Sequence, residues 1–217
     1  MIEHVYRRAA AARGIGRVIV ATDDDRIVKA VERFGGEAIM TAASHQSGTD
    51  RLAEVARSLD AGIIVNVQGD EPLLEPAMID EALAPLLADS SIAMSTLRRQ
   101  IDDPADRDNP NVVKVVVDRD GFALYFSRAA IPFVRSNQPA AVAWRHVGLY
   151  VYRRDTLLRL ASLAPTPLER SEALEQLRAL EHGIRILAVE TRFDTIGVDT
   201  PADLEKARQL AATFARV

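Results

Sequence analysis

The stretch Ile63-Ile64-Val65-Asn66-Val67-Gln68-Gly69-Asp70-Glu71-Pro72 joins an apolar run to a short polar segment. The run is nearly all apolar, which is typical of a strand that is covered on both faces in a parallel sheet. In open α/β sheets, ligands bind beyond the carboxyl ends of the strands. Because Asp70 follows the run directly, the stretch predicts an α/β fold whose chemistry centres on this carboxylate.

Strand and helix signals alternate on both sides of this run, as they do in a parallel sheet. β-rich runs are predicted at 17–21, 37–40, 91–97 and 184–189, and helices at 2–13, 76–87 and about 168–181. The middle differs, because runs at 112–117 and 123–126 flank the hairpin signal Asp120-Gly121, and a third run lies at 146–152. The pattern predicts a mostly parallel central sheet flanked by helices, with an antiparallel insertion or edge.

The composition limits the classes of function. With 217 residues, of which 48% are hydrophobic, the chain can form one domain over 1–217 with a sizeable core. The net charge of -4, with acids and bases mixed, argues against nucleic-acid and membrane partners. The absence of cysteine excludes disulfides, thiolate metal sites and cysteine nucleophiles. Because Glu3, Arg7 and Arg8 interrupt any signal peptide, we expect a cytoplasmic protein.

Two interpretations of Asp70 remain open from its position alone. A single carboxylate, combined with phosphate oxygens and waters, suits Mg²⁺, and Gly69 lets a ligand approach the backbone. Alternatively, Asp70 and Glu71 cap the following segment. The same choice applies to Asp199 in Gly197-Val198-Asp199-Thr200-Pro201, which either shares a metal with Asp70 or caps the last helix.

A polar loop, Ser44-His45-Gln46-Ser47-Gly48-Thr49-Asp50-Arg51, opens a helix. Backbone N–H groups at a helix start suit an anionic ligand, but an ordinary capped loop is the interpretation favoured by these residues alone. His45 has no partner acids at metal-ligand spacing, so we do not assign it as a ligand.

Three clusters in the second half also carry polar residues. Arg128 lies between a strand and a turn, and its guanidinium fork fits a carboxylate substrate. His146 and Tyr150 share one edge of a β-run. Glu175 and Gln176 lie in the middle of a predicted helix, where polar residues beside an apolar stripe are usually solvated surface.

Taken together, these segments resemble one family, the CMP-KDO synthetases (3-deoxy-manno-octulosonate cytidylyltransferases). They occur in the family's order, span nearly the whole chain, and are 45-HQSGTDRL-52, 65-VNVQGDEP-72, 109-NPNVVK-114, 125-YFSR-128, 145-RHVGLY-150, 174-LEQLR-178 and 197-GVDTP-201. Any one segment is a weak signal, whereas the ordered set is highly specific.

The resemblance implies a Rossmann-like nucleotidyltransferase fold and transfer of CMP from CTP to the acidic sugar KDO, with release of pyrophosphate. It also implies Mg²⁺, a homodimer, and a role in lipopolysaccharide biosynthesis, with approximately 109–152 as a sugar-binding and dimerisation subregion. Phosphoryl transfer of this kind needs in-line positioning and charge neutralisation more than covalent help from the protein. No general base is therefore assigned.

The family pattern also implies roles for individual residues. Asp70 and Asp199 are the catalytic residues that hold Mg²⁺. The nucleotide site comprises Gln46, Ser47, Gly48, Arg51 and Gln68. The sugar-acid pocket comprises Arg128, His146, Tyr150, Glu175 and Gln176.

One departure from the family concerns the N-terminus. Family members begin with a strand and a basic, Gly-containing loop that binds the triphosphate. By the family pattern, a segment of roughly 30 to 40 residues that includes this strand and loop would precede the position of Met1. We expect the natural start to lie upstream, because the other site residues are kept in order. The alternatives are a truncated, catalytically impaired homologue that binds nucleotide or sugar, and a cytidylyltransferase for a related sugar acid (8-amino-KDO or sialic acid).

Overall fold

The computed structural model describes residues 1–45, 47–135, 142–195, 197–198 and 200–214, with the side chains of 206 and 210–214 left aside. These residues form two compact units. The first unit comprises Met1–Ala61, Asn66–Asp80 and Phe193–Val217, and the second comprises Gly62–Val65 and Glu81–Arg192. The expectation of a single domain over 1–217 stays a prediction.

The helices and strands alternate along most of the chain. In chain order they are α1 (Ile2–Ala10), β1 (Val20–Thr22), α2 (Asp25–Arg33), β2 (Ala38–Met40), α3 (Gly48–Arg57), β3 (Ile63–Asn66), α4 (Pro76–Ala88), β4 (Met94–Gln100), α5 (Pro104–Asp108), β5 (Lys114–Val117), β6 (Ala123–Ser127), β7 (Trp144–Arg153), α6 (Arg154–Ala161), α7 (Pro167–Glu172), α8 (Gln176–Glu181), β8 (Leu187–Glu190) and α9 (Pro201–Phe214). Among these helices, none is long and apolar enough to cross a membrane.

The first unit is built around the parallel pair β1–β2. Helix α2 begins at Asp24, whose side chain accepts a hydrogen bond from the backbone N–H of Arg26 at 2.8 Å. It ends before Gly35, whose φ of 76° suits the left-handed residue that stops a helix. Because β1 and β2 are parallel, their carboxyl ends lie side by side.

The second unit is built around a six-stranded sheet in the order β6-β5-β7-β4-β8, with β3 pairing to β7. The α/β prediction is confirmed, but this sheet is mixed rather than mostly parallel. Strand β4 is parallel to β8, whereas β7 is antiparallel to β4 and β5, and β5 is antiparallel to β6. The antiparallel strands are more than an appended edge because the ten-residue β7 lies inside the sheet and pairs on both sides.

The apolar run that begins at Ile63 forms β3 as predicted, but its side chains are less covered than expected. Ile63, Ile64 and Val65 are half-buried, and only Asn66 at the end of the strand is buried. Its partner in the described part of the chain is β7.

The predicted helix at about 168–181 is two helices in the structure. Ala173 adopts the left-handed conformation (φ 52°, ψ 51°) and ends α7. The break is stabilised by an ion pair in which Arg178 donates to the Glu169 carboxylate at 2.8 Å from Nε and 2.5 Å from Nη2. Both side chains are buried. An alanine gives no sequence signal for a helix break, so this tertiary contact was missed.

Replacing Arg178 with methionine should lower the free energy of unfolding by about 3–5 kcal/mol, because it leaves a buried carboxylate without its partner. Denaturant unfolding measures the change. The matched control is Arg208→Met, which removes an exposed ion pair to Glu205 at 3.7 Å and should cost less than about 1 kcal/mol. Equal losses in the two variants would contradict a stabilising role for the buried pair.

The same pair makes stability depend on pH. Burial acts to raise the pKa of Glu169, but the hydrogen bonds from Arg178 and from Thr166 outweigh it and hold that pKa below its usual value. The contribution is therefore complete above the usual carboxyl pKa of about 4.3 and is lost as pH falls through the lower folded value. Urea midpoints measured between about pH 6 and pH 3 should fall less steeply in Arg178→Met than in the wild type.

Candidate functional site

Asp70 lies in the first unit, at the turn that follows β3. Its backbone carbonyl accepts a hydrogen bond from the N–H of Val198 at 2.9 Å. The two acidic segments singled out in the sequence are therefore neighbours in this unit. Asp199 lies outside the described residues, and its part in a metal site stays a prediction.

The structure bears on the capping interpretation of each acid. No hydrogen bond from a described residue reaches the Asp70 carboxylate, and the next helix begins only at Pro76. Helix α9 has a capping box of its own, in which Thr200 N and Oγ1 donate to Asp203 Oδ2 at 2.9 and 2.7 Å and Asp203 N donates to Thr200 Oγ1 at 3.2 Å. The Asp70 carboxylate is thus not used as a cap within the described structure.

The donor set around Asp70 suits a cation held partly by its substrate. Within the described ranges, no group of three or more His, Cys, Asp or Glu side chains gathers to form a metal site. Mg²⁺ commonly takes only one or two carboxylates and completes its shell with phosphate oxygens and waters. A half-buried carboxylate that accepts no hydrogen bond from the described residues fits that requirement.

The loop before α3 is a capped loop, as the sequence favoured. Ser47 Oγ accepts a hydrogen bond from Asp50 N at 3.2 Å and caps the helix. Gly48, the first helical residue, is exposed, and a Cβ added there would meet no atom within 4 Å. His45 pairs with Glu54, which also accepts from Ala42 N at 3.1 Å. Gln46 lies outside the described residues.

Arg51 has protein partners of its own. Its guanidinium donates to Thr41 Oγ1 at 2.5 Å and lies 3.1 Å from Asp23 Oδ2. Asp23 follows β1 and Thr41 follows β2, so Arg51 ties together the carboxyl ends of the parallel pair. Gln68, the other predicted nucleotide contact, is exposed, and its amide lies 3.4 Å from Asn66 Oδ1.

An irregularity in the sheet of the second unit brings His146 and Tyr150 together. Opposite Thr96 and Leu97 of β4, the register of β7 steps from Tyr150 to Val147, which leaves two extra residues on β7. Residues four apart in a regular strand are about 13 Å from each other. Because of the bulge, the ring centroids of His146 and Tyr150 are 5.3 Å apart.

Thr96 holds this bulge and sets the hydrogen bonding of His146. The Thr96 hydroxyl is fully buried and lies 2.8 Å from Leu149 O, 3.2 Å from Val147 O and 2.9 Å from His146 Nε2. We assign its one proton to Leu149 O, the nearest of the three groups, and this assignment makes His146 the donor from Nε2. The Nδ1 lone pair then has no hydrogen-bond partner among the described residues and is an acceptor.

Burial also sets the charge in this cluster. It lowers the pKa of His146 to about 3, so the imidazole is neutral at physiological pH. Burial, with smaller contributions from Tyr152 and Glu175, raises the pKa of Tyr150 well above its usual range. The pair therefore offers neutral hydrogen-bonding groups rather than charges.

Arg128 follows β6 and is hydrogen-bonded to backbone carbonyls. Its Nε donates to Glu172 O at 2.8 Å and its Nη1 to Pro110 O at 3.0 Å. No ion pair to its guanidinium is formed by the residues that the structure describes. The half-buried Arg128 guanidinium thus makes no direct ion pair with a described residue, although the nearby Glu172 carboxylate bonds its backbone N–H and interacts electrostatically with it.

Lys114 supports this region from beneath. It is fully buried, and its ammonium donates to Asn109 O at 2.8 Å, Val112 O at 2.5 Å and Arg128 O at 2.7 Å. Burial lowers the pKa of this ammonium. All three ammonium protons are donated to backbone carbonyls. Lys114 therefore links Arg128, which follows β6, to the loop 109–112, whose Pro110 carbonyl accepts from the Arg128 side chain.

Glu175 and Gln176 lie at the junction between α7 and α8, not in the middle of a helix as predicted. Gln176 is buried, and its amide nitrogen has no hydrogen-bond partner within the described part of the chain. Glu175 is near enough to Tyr150 to raise its pKa. An unpaired buried amide is costly unless a ligand satisfies it.

The His146 ring contacts the Tyr150 ring, and Glu175 interacts electrostatically with Tyr150. The His146 ring meets the Phe126 ring edge-on at 5.0 Å, two residues before Arg128. The sequence did not single out Thr96, Lys114 or Glu172, which hold these residues in place. A threonine or lysine in a β-run has no signal that separates it from an ordinary strand residue, so these three emerge only from the fold.

The hydrogen bonding of His146 can be tested by ¹⁵N NMR of histidine-labelled protein. The chain has four histidines, and His146→Gln identifies the signal of interest. We expect a neutral ring protonated at Nε2 that stays neutral to about pH 5. Thr96→Val should lose the tautomer preference, and Thr96→Ser should retain it. Protonation at Nδ1 in the wild type would contradict the assignment.

Comparison with known proteins gives the same family at each level. The sequence profile of the Cytidylyltransferase family matches residues 1–186. A 3-deoxy-manno-octulosonate cytidylyltransferase from Geobacter metallireducens is 57% identical, over 99% of this chain and 88% of the relative. One from Solibacter usitatus is 53% identical, over 97% of this chain and 83% of the relative.

Solved structures agree. A CMP:2-keto-3-deoxy-manno-octonic acid synthetase complexed with CTP has a TM-score of 0.93 and 46% identity, covering 98% of this chain and 87% of its own. A 4-diphosphocytidyl-2C-methyl-D-erythritol synthase from Anaerococcus prevotii, with a TM-score of 0.63, 13% identity and coverage of 97% and 88%, shares the fold alone. The chain belongs to the 3-deoxy-manno-octulosonate cytidylyltransferase (CMP-KDO synthetase) family.

Proposed function

We propose that this protein transfers CMP from CTP to KDO with release of pyrophosphate, in the biosynthesis of lipopolysaccharide. The observation that carries the proposal is the cluster around Arg128, because it combines a guanidinium that makes no direct ion pair with a described residue and several neutral hydrogen-bonding groups. An acidic polyol needs that combination. The high identity to named 3-deoxy-manno-octulosonate cytidylyltransferases supports the same substrate.

The sugar acid would occupy the second unit. The fork of Arg128 suits its carboxylate, because guanidinium and carboxylate can form two parallel hydrogen bonds. His146 Nδ1 would accept a proton from a sugar hydroxyl, and the unpaired amide nitrogen of Gln176 would donate to another. Tyr150 and Glu175 complete the proposed pocket.

CTP would be bound in the first unit. The loop with Gln46, Ser47, Gly48 and Arg51, together with Gln68, is the proposed nucleotide site. Exposed backbone at the start of α3 supports it, since N–H groups at a helix start favour anionic ligands. If this protein is instead a cytidylyltransferase for 8-amino-KDO or sialic acid, the proposed nucleotide site is the same and only the ligand of the sugar site changes.

Asp70 and Asp199 are the proposed ligands of Mg²⁺. When bound, the metal would neutralise phosphate charge and polarise the α-phosphorus. The residues of the chain itself would position the two substrates, since phosphoryl transfer depends on in-line geometry. The described residues present no side chain whose geometry assigns it as a general base, and none is proposed.

We further propose a cytoplasmic homodimer that uses the region of approximately 109–152. Exposed apolar side chains support an interface there: Leu124 is 62% exposed on the edge strand β6, and Phe133 is 87% exposed. Exposed large apolar groups of this kind are typical of association surfaces.

A coupled assay of pyrophosphate release tests the reaction. The purified chain with CTP, KDO and Mg²⁺ should release pyrophosphate, and Asp70→Asn should reduce the rate by about 100-fold or more while leaving the melting temperature nearly unchanged. Release with sialic acid or 8-amino-KDO but not KDO would reassign the sugar. Binding of CTP or KDO without turnover would instead favour the impaired homologue.

Gly48→Ala tests the nucleotide loop. The added methyl group meets no protein atom within 4 Å, and alanine should if anything stabilise the helix by about 0.4–1 kcal/mol. We therefore expect an unchanged or higher melting temperature together with a KM for CTP raised about tenfold, because the methyl group would meet the nucleotide. An unchanged KM for CTP would remove Gly48 from the site.

A further inference from the structure

We propose that Glu172 is a positioning residue that orients Arg128 toward the substrate carboxylate. This inference rests on the proposed binding of a sugar acid in the second unit. It adds a specificity-determining side chain that belongs neither to the sugar contacts nor to the metal ligands. Hydrogen bonds hold both the backbone and the side chain of Arg128.

Glu172 contacts Arg128 through both its carboxylate and its backbone. The carboxylate accepts from Ser127 Oγ at 2.6 Å and from Arg128 N at 2.9 Å, while its carbonyl accepts from Arg128 Nε at 2.8 Å. Tyr125 OH lies 3.5 Å from the same carboxylate. Glu172 thus holds both the backbone N–H and the side-chain Nε of Arg128.

The break between α7 and α8 places Glu172 where it can do this. It is the last residue of α7, and Ala173 turns the chain sharply after it. A continuous helix would carry its backbone carbonyl into the helical ladder and leave none for Arg128 Nε. Because the left-handed Ala173 ends α7, the Glu172 carbonyl can accept from the side chain of Arg128, which follows β6.

Lys114 and Pro110 hold Arg128 from the opposite side. Lys114 Nζ donates to Arg128 O at 2.7 Å, and Arg128 Nη1 donates to Pro110 O at 3.0 Å. With the backbone N–H, the carbonyl, Nε and Nη1 all bonded, the terminal edge of the guanidinium is the part left for a ligand. The Glu172 carboxylate interacts electrostatically with Arg128 but bonds its backbone N–H rather than its guanidinium, so the terminal edge of the guanidinium stays available.

Such a frame should act on affinity for the carboxylate. An arginine that is already oriented loses less side-chain entropy when it forms two parallel hydrogen bonds. Glu172→Met keeps a side chain of similar length but accepts no hydrogen bond, so the anchors to Ser127 Oγ and to Arg128 N both fail. Arg128 would then keep its charge and lose its fixed direction.

The test compares binding of KDO with binding of its C1 carboxamide, in which the charge is removed. Isothermal calorimetry should show that the wild type prefers the acid and that Arg128→Gln loses the preference. Glu172→Met should reduce it about tenfold, raise the KM for KDO in step, and leave the KM for CTP unchanged. Glu181→Met, the same change at the end of α8, should behave as the wild type.

The outcomes separate the two proposals. If Arg128→Gln loses the preference and Glu172→Met keeps it, the positioning role is wrong and the sugar site stands. If Arg128→Gln also keeps it, the proposed sugar site fails, and the role of Glu172 falls with it. Should Glu172→Met not fold, Ser127→Ala carries the same comparison, because it removes the 2.6 Å donor that aligns the Glu172 carboxylate.

Discussion

The antiparallel pairing of β7 with β4 is the constraint on which the second unit depends. Seven residues of β4 have partners on β7, and the pairing is interrupted only opposite Thr96 and Leu97. At that point a threonine hydroxyl replaces the missing backbone donor. Because β7 also pairs with β5, a shift of the bulge by one residue would turn His146 away from Phe126 and break the cluster.

The sequence predicted the order of strands and helices well, because apolar periodicity and turn signals are local. Strand β2 and the capping box at Thr200 and Asp203 follow directly from such signals. The direction of strand pairing does not, since it is decided by how strands that are distant in the sequence meet in the fold. The break at Ala173 is also invisible locally, because it is held by a contact between residues nine positions apart.

Family likeness proposed members for the candidate site, which stay predictions, but it gave no arrangement. The structure brings the rings of His146 and Tyr150 together and places Phe126, two residues before Arg128, against His146. Sequence spacing alone would keep His146 and Tyr150 apart, since only the bulge shortens the distance. The supporting residues were missed because Lys114, read from the sequence, is an ordinary charged residue on a strand, whereas in the fold all its protons are internal.

The neutrality of His146 and Tyr150 affects whether protons are exchanged when a ligand binds beside them. With the pKa of His146 near 3 and that of Tyr150 well above its usual range, neither ring gains or loses a proton across the physiological range. Recruitment of an acidic ligand to this cluster would then exchange no protons with the buffer at either ring. The two rings would therefore add no buffer-dependent heat of ionisation to the binding of that ligand.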